Sequence, residues 1–155
     1  MQEQLINFLM YVLYMPIITF IHELGHALFV LLFGKEVREI SLGYGKDLVR
    51  IKKFVVKKSF GWNGGYCSWE NIDSLAWYQK ILIFLGGIIL NLLTATLVWI
   101  FGDVQYADWY RSFIILSYFI AVINLFPFKF KSNNTKIESD GLQCIKLFNS
   151  LKQGK

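Results

Sequence analysis

The chain has 155 residues, 55% of them hydrophobic and 17% charged, with a mean hydropathy of +0.43 and a formal charge of +5. That balance points to a membrane protein. Its two cysteines, Cys67 and Cys144, form no C-x-x-C pair, which argues against a disulfide framework or a cysteine zinc site.

A membrane span needs about 20 mostly apolar residues. The first such stretch runs over 5–33. It lacks the short apolar core and small-residue cleavage site of a removable signal peptide, so it is expected to stay in the mature protein. It is followed by a polar connector, 35–75, whose β-branched and aromatic runs at Val49 to Ile51 and Phe54 to Val56 are broken by glycines at 43, 45, 61, 64 and 65. Short strands with tight turns fit that pattern. The second span, about 78–101, starts beside Trp77 and Tyr78 as interfacial anchors. The third, about 109–128, ends at "INLFPF", where Pro127 should stop or kink the helix. In the tail, 129–155, "KFKSNNTKIESD" reads as a polar loop and "DGLQCIKLFNSLK" as a short helix. No internal repeat is visible. The fold class is therefore an α-helical polytopic membrane protein, a single domain over 1–155, with a three-transmembrane-helix core and a small membrane-associated β segment between helices 1 and 2.

Lysine and arginine near span ends set membrane orientation. The 35–75 connector carries Lys35, Arg38, Lys46, Arg50, Lys52, Lys53, Lys57 and Lys58, and the tail carries Lys129, Lys131 and Lys136. The connector between spans two and three offers Asp103 and Asp108 against Arg111. This predicts an outside N-terminus, with the basic connector and the C-terminal tail in the cytosol. Anionic lipid headgroups, rather than nucleic acid, are the partner expected for a basic loop tethered at both ends to a bilayer.

The first span contains "FIHELGHALF", Phe20 to Phe29. On a helix His22 and His26 lie one turn apart on one face, so both imidazoles can reach a single zinc ion. Glu23 is then placed to act as general base on a water that the ion acidifies. A pair of histidines satisfied inside a helix bundle is the plain alternative. The chain has only these two histidines, and random placement would give this spacing roughly one time in a thousand or less. Buried carboxylate and imidazole groups in hydrocarbon are also costly, and by default functional. His26 lies about seven residues before the cytosolic end of the span, roughly 10 Å inside the membrane. A catalytic zinc site keeps three protein ligands, and with no third histidine the candidates are acids: Asp140, Glu138, Glu36 or Glu70.

The arrangement resembles the site-2 protease family of intramembrane zinc metalloproteases. "HELGH" looks like its zinc motif. "LGYG" at Leu42 to Gly45 and "NGGY" at Asn63 to Tyr66 resemble its glycine-marked membrane-associated β segment. "GGIILN" at Gly86 to Asn91 is similar to its small-residue second core helix. "NLFP" at Asn124 to Pro127, followed by "DG" at Asp140 and Gly141, resembles its closing motif. The resemblance implies one zinc per chain held by His22, His26 and Asp140. The polar insert "KFKSNNTKIES" departs from the family pattern, and a helix cap is the other reading of Asp140. The chain ends soon after the Asp-Gly pair, which reads as a minimal core.

Gly43, Gly45, Gly64 and Gly65 of the β segment, with Asn91 and Asn124, are the candidate substrate-binding positions. For Asn91, packing between helices is an equal alternative. Gly86 and Gly87 read as close-packing residues. A strand edge in the Val37 to Tyr66 segment could hold an unwound substrate extended. Expected partners are a membrane-anchored protein or peptide precursor as substrate, the bilayer, and a regulatory membrane protein. The excess of lysine over arginine and the many asparagines suggest an AT-rich bacterial genome and hence a bacterial plasma membrane. The rival from another class is a non-catalytic immunity or scaffold protein of the same fold. Retention of Glu23 argues against it. A second enzymatic rival takes its third ligand as a glutamate from a later helix, and spans two and three contain no acid that could serve.

Overall fold

The computed structural model describes residues 2–59, 64–132 and 135–153, with side chains described over 8–59, 64–129 and 137–153. Asn63 and Gly61, both part of the sequence reading, lie outside the described residues. The chain is mostly helical. Helix α1 (Gln2–Leu32) leads into strands β1 (Val37–Leu42), β2 (Tyr44–Ile51), β3 (Phe54–Ser59) and β4 (Gly65–Trp69). Helix α2 (Trp77–Phe101), a single 3-10 turn (Val104–Tyr106) and α3 (Ala107–Leu125) follow. A hairpin of β5 (Lys129–Ser132) and β6 (Thr135–Glu138) then precedes α4 (Asp140–Gln153).

Among the described residues, two helices are long and apolar enough to cross a membrane: Phe8–Leu32 of α1 and the whole of α2. The α2 entry is set by Gln79, whose side-chain oxygen accepts the Ala76 N–H at 2.9 Å. Its exit follows at Gly102. Helix α3 stops at Leu125, two residues before Pro127, as proline chemistry requires.

The four-stranded sheet has the order β2-β3-β1-β4, with β1 parallel to β3 and the other pairs antiparallel. The reversal from β1 to β2 turns on Gly43, whose φ of 81° suits glycine and whose N–H donates to the Gly64 carbonyl at 2.8 Å. One core joins sheet and helices. Ala27 and Val30 of α1, Val37 and Ile40 of β1, and Ile83 of α2 are buried together, with Phe20, Trp69 and Phe84 packed around them.

Helices α1 and α2 cross at a pair of glycines. A Cβ on Gly25 would lie 2.2 Å from the Gly86 carbonyl oxygen, and one on Gly86 would lie 2.5 Å from that of Gly25. No other residue fits at that approach, so the small-residue reading of Gly86 has a direct cause.

The insert expected as a polar loop is instead the β5–β6 hairpin, with Lys129 opposite Glu138 and Phe130 opposite Ile137. Lys-Phe-Lys and Lys-Ile-Glu alternate polar and apolar on either side of Ser-Asn-Asn-Thr, which is a hairpin pattern.

Candidate metal centre

His22 and His26 sit on the inner face of α1 with ring centroids 4.9 Å apart and planes nearly perpendicular. Each ring is backed by α2. The Ile83 carbonyl oxygen lies 2.8 Å from His26 Nδ1, and the Asn91 amide nitrogen lies 3.3 Å from His22 Nδ1. Gly87 permits the second approach, since a Cβ there would come within 2.6 Å of the His22 ring. Both Nε2 atoms therefore face forward, toward one carboxylate: His22 Nε2 is 3.1 Å from Asp140 Oδ2, and His26 Nε2 is 3.5 Å from Asp140 Oδ1.

Asp140 reaches this point because two short-range devices fix the start of α4. Ser139 Oγ donates to the Phe126 carbonyl at 2.6 Å and accepts the N–H of Phe128 at 3.0 Å and of Leu142 at 3.3 Å. The last of these is an N-cap bond, so Ser139 caps the helix and leaves the Asp140 carboxylate free for other work. Gly141 lets α4 approach the end of α3, where a Cβ would lie 1.9 Å from the Leu125 carbonyl oxygen.

The geometry fits a metal ion. The three ligand atoms lie within 4.8 Å of one another, and all three residues are buried. Ligand atoms around a tetrahedral ion at about 2.0–2.1 Å stand roughly 3.3 Å apart, close to the two distances observed. Asp140 Oδ2 is buried without a hydrogen-bond partner, although His22 Nε2 is near it. A bare carboxylate oxygen between two imidazoles is a costly arrangement that a cation would resolve.

Glu23 is only 6% exposed and lines the same cavity as the two histidines and Asp140, a space of about 630 Å³. The main-chain amide of Cys67 in β4 is turned toward its carboxylate. The register explains why. Ile40 uses its N–H toward Lys53 on the β3 side, so its antiparallel neighbour Cys67 forms a non-hydrogen-bonded pair with it and aims its N–H and C=O at the free edge of β4. That edge faces the cavity.

The other sequence candidates divide. Gly64 and Gly65 line the cavity, whereas Gly43 and Gly45 shape the turn beyond it. Asn124 also lines it, with its amide donating to the Ile120 carbonyl at 3.0 Å. Asn91 is fully buried behind His22 and does not border the cavity. Among the rival acids, Glu138 pairs with Lys129 and Lys146, and Glu70 with Lys35. Sequence reasoning missed Ser139, Ile83 and Gly25. Ser139 could have been found, because Ser before Asp-Gly at a helix start is a capping pattern.

The model of peptidase family M50 matches residues 10–107, a segment that holds His22, Glu23, His26 and Asn91 and stops before Asp140. A protein of Borreliella burgdorferi is 31% identical over 131 residues, covering 68% of this chain and 30% of its own length. One of Helicobacter pylori is 30% identical over 111 residues, covering 61% of this chain and 32% of its own length. One of Fusobacterium nucleatum is 31% identical over 101 residues, covering 57% and 30%. Each carries the name "Putative zinc metalloprotease". The chain thus spans about a third of the length of these curated relatives.

Proposed function

The chain belongs to peptidase family M50, the site-2 protease family, and from that premise we propose that it is an intramembrane zinc endopeptidase. It cuts a peptide bond in or near the transmembrane segment of a membrane-anchored protein or peptide precursor. The observation that carries this reading is the sharing of one cavity by a buried His22, His26, Asp140 group and a buried Glu23.

His22, His26 and Asp140 would hold the zinc. When bound there it supplies Lewis acidity, which polarises the scissile carbonyl and lowers the pKa of water toward about 7. Glu23 takes the proton from the attacking water and hands it to the leaving amine. The Cys67 amide steadies the Glu23 carboxylate in the orientation this transfer needs.

A transmembrane helix hides its peptide bonds in its own hydrogen bonds, so the substrate must be unwound locally. The free edge of β4 runs along the cavity and offers the Cys67 carbonyl and the main-chain groups of Trp69 to an extended segment. Gly65, which has no side chain to block the strand, begins that edge. Aromatic and aliphatic side chains, Trp69, Phe119 and Ile123 among them, give the cavity an apolar lining suited to hydrophobic substrate side chains.

In this reading α3 is the third crossing. Its 19 residues rise about 28 Å, close to the thickness of the hydrocarbon core. Ile115 and Val122 stand exposed on its outer face, as lipid contact requires. The ends of α1 and α3 and the start of α2 then share the cytosolic side with the basic connector. The N-terminus is outside, and a bacterial plasma membrane is the setting.

Zinc content of Asp140→Ala and Glu138→Ala tests the ligand set. Loss of the metal in the first alone is expected. Unchanged zinc in Asp140→Ala would remove Asp140 from the set and with it the proposed mechanism.

A further inference from the structure

We propose that Asn91 is a positioning residue for the metal. With the ion bound, its side-chain carbonyl oxygen accepts the Nδ1 hydrogen of His22 and locks that ring in the tautomer whose Nε2 can ligate. The proposal rests on the zinc reading above and deepens it by giving the buried amide of α2 a task.

A neutral imidazole has one nitrogen that donates and one that accepts. A histidine that ligates through Nε2 must therefore carry its hydrogen on Nδ1, and that hydrogen needs an acceptor behind the ring. For His26 the acceptor is in place, because the Ile83 oxygen 2.8 Å from its Nδ1 can do nothing else. His22 has a main-chain partner of its own in Gly87, and beside it the Asn91 amide turns its nitrogen Nδ2 toward Nδ1 at 3.3 Å. An NH2 group cannot accept a hydrogen bond. Ligation through Nε2 would set donor against donor.

The other half of the amide carries the complementary problem. Asn91 is fully buried, and its Oδ1 has no hydrogen-bond partner. A half turn of the amide about its terminal bond brings Oδ1 onto His22 Nδ1. One rotation pairs the orphaned oxygen and removes the clash of donors. Gly87, packed flat against the ring, keeps His22 from tilting out of reach. His26 is then oriented by the Ile83 main-chain oxygen, and His22 by the Asn91 side-chain oxygen beside its main-chain contact with Gly87.

The test is zinc affinity, measured on the full chain in detergent by competition with a chelator of known affinity, for wild type, Asn91→Leu and Asn91→Asp. Loss of the acceptor in Asn91→Leu is expected to weaken zinc binding by about 10- to 100-fold. Asn91→Asp keeps an oxygen at that place and is expected to bind zinc at least as tightly as wild type. Packing through the amide NH2 would fail equally in both variants, so an Asp variant as weak as the Leu variant overturns the proposal. Wild-type affinity in Asn91→Leu overturns it too. A wild-type protein that binds no zinc overturns instead the metal reading beneath it. Nitrogen NMR of the zinc-loaded wild type, which has only two histidines to assign, gives a second measurement independent of any variant's folding. A His22 Nδ1–H bonded to the Asn91 side-chain carbonyl supports the proposal, and a bare Nδ1, or one bonded to Gly87 alone, refutes it.

Discussion

A Cβ added to Gly87 would press on three atoms of the His22 imidazole at 2.6–2.7 Å, and so a single methyl group tests how tightly the ligand ring is held. Overpacking of that kind costs about 1–3 kcal/mol. Because the crowded atoms belong to a proposed ligand, Gly87→Ala is expected to weaken zinc binding at least tenfold as well as to lower the melting temperature. Full zinc affinity in a folded Gly87→Ala protein would show that the ring has room to move. At this scale the sequence was most legible where chemistry and local spacing coincide. His22, Glu23 and His26 are fixed by one helical turn and could be read directly. Asp140 lies more than a hundred residues further on, so only the resemblance singled it out. The neighbours of the rings, Ile83, Gly87 and Asn91, depend on how α2 is rotated against α1, which no local pattern reports.

Among the elements, the sheet carries both the proposed substrate edge and a charged cluster that braces it. Cys67→Pro removes the N–H that β4 turns toward the cavity without removing one bonded to β1. It is expected to lower cleavage of a membrane substrate tenfold or more while zinc stays bound; unchanged cleavage would rule out a part for this N–H, which holds Glu23, in the reaction. On the far side of β1, Glu39 forms ion pairs with Lys57 at 2.8 Å and Arg50 at 2.6 Å, and accepts a hydrogen bond from Tyr66. Partial burial alone would raise the Glu39 pKa, but the bonds from Lys57, Tyr66 and Arg50 outweigh it and hold the carboxyl below its ordinary value. A depressed folded-state pKa contributes stability that is present above the unfolded value, about 4.3, and is lost as pH falls through the folded one. Wild type should therefore be more stable than Glu39→Gln at neutral pH, with the gap closing in acid. A gap that stays constant down to about pH 2 would contradict the pairing. Glycine punctuation announced this segment, and the strands Val49 to Ile51 and Phe54 to Val56 were legible. The order β2-β3-β1-β4, which puts β4 at the edge, was not, because pairing partners are a long-range property.

For the whole molecule, hydropathy alone located the two long apolar helices, and Pro127 marked the end of α3. What it could not show is that both short-range devices at Ser139 and Gly141 serve to bring α4 back against α1, closing a site whose parts lie at opposite ends of the chain. The β5–β6 hairpin lies in the stretch between Pro127 and Asp140, and Ile137 and Glu138 of β6 border the cavity. An insert that looked like a departure from the family pattern therefore forms a wall of the site.

The most direct test of the central claim is co-expression with single-span membrane substrates, comparing wild type with Glu23→Gln and measuring bound zinc in both. The account predicts equal zinc, a cleavage product with wild type, and loss of at least a hundredfold of that cleavage in the variant, the scale expected for removing a general base. A variant that binds zinc and cuts as fast as wild type would contradict it, because Glu23 would then have no part in the chemistry.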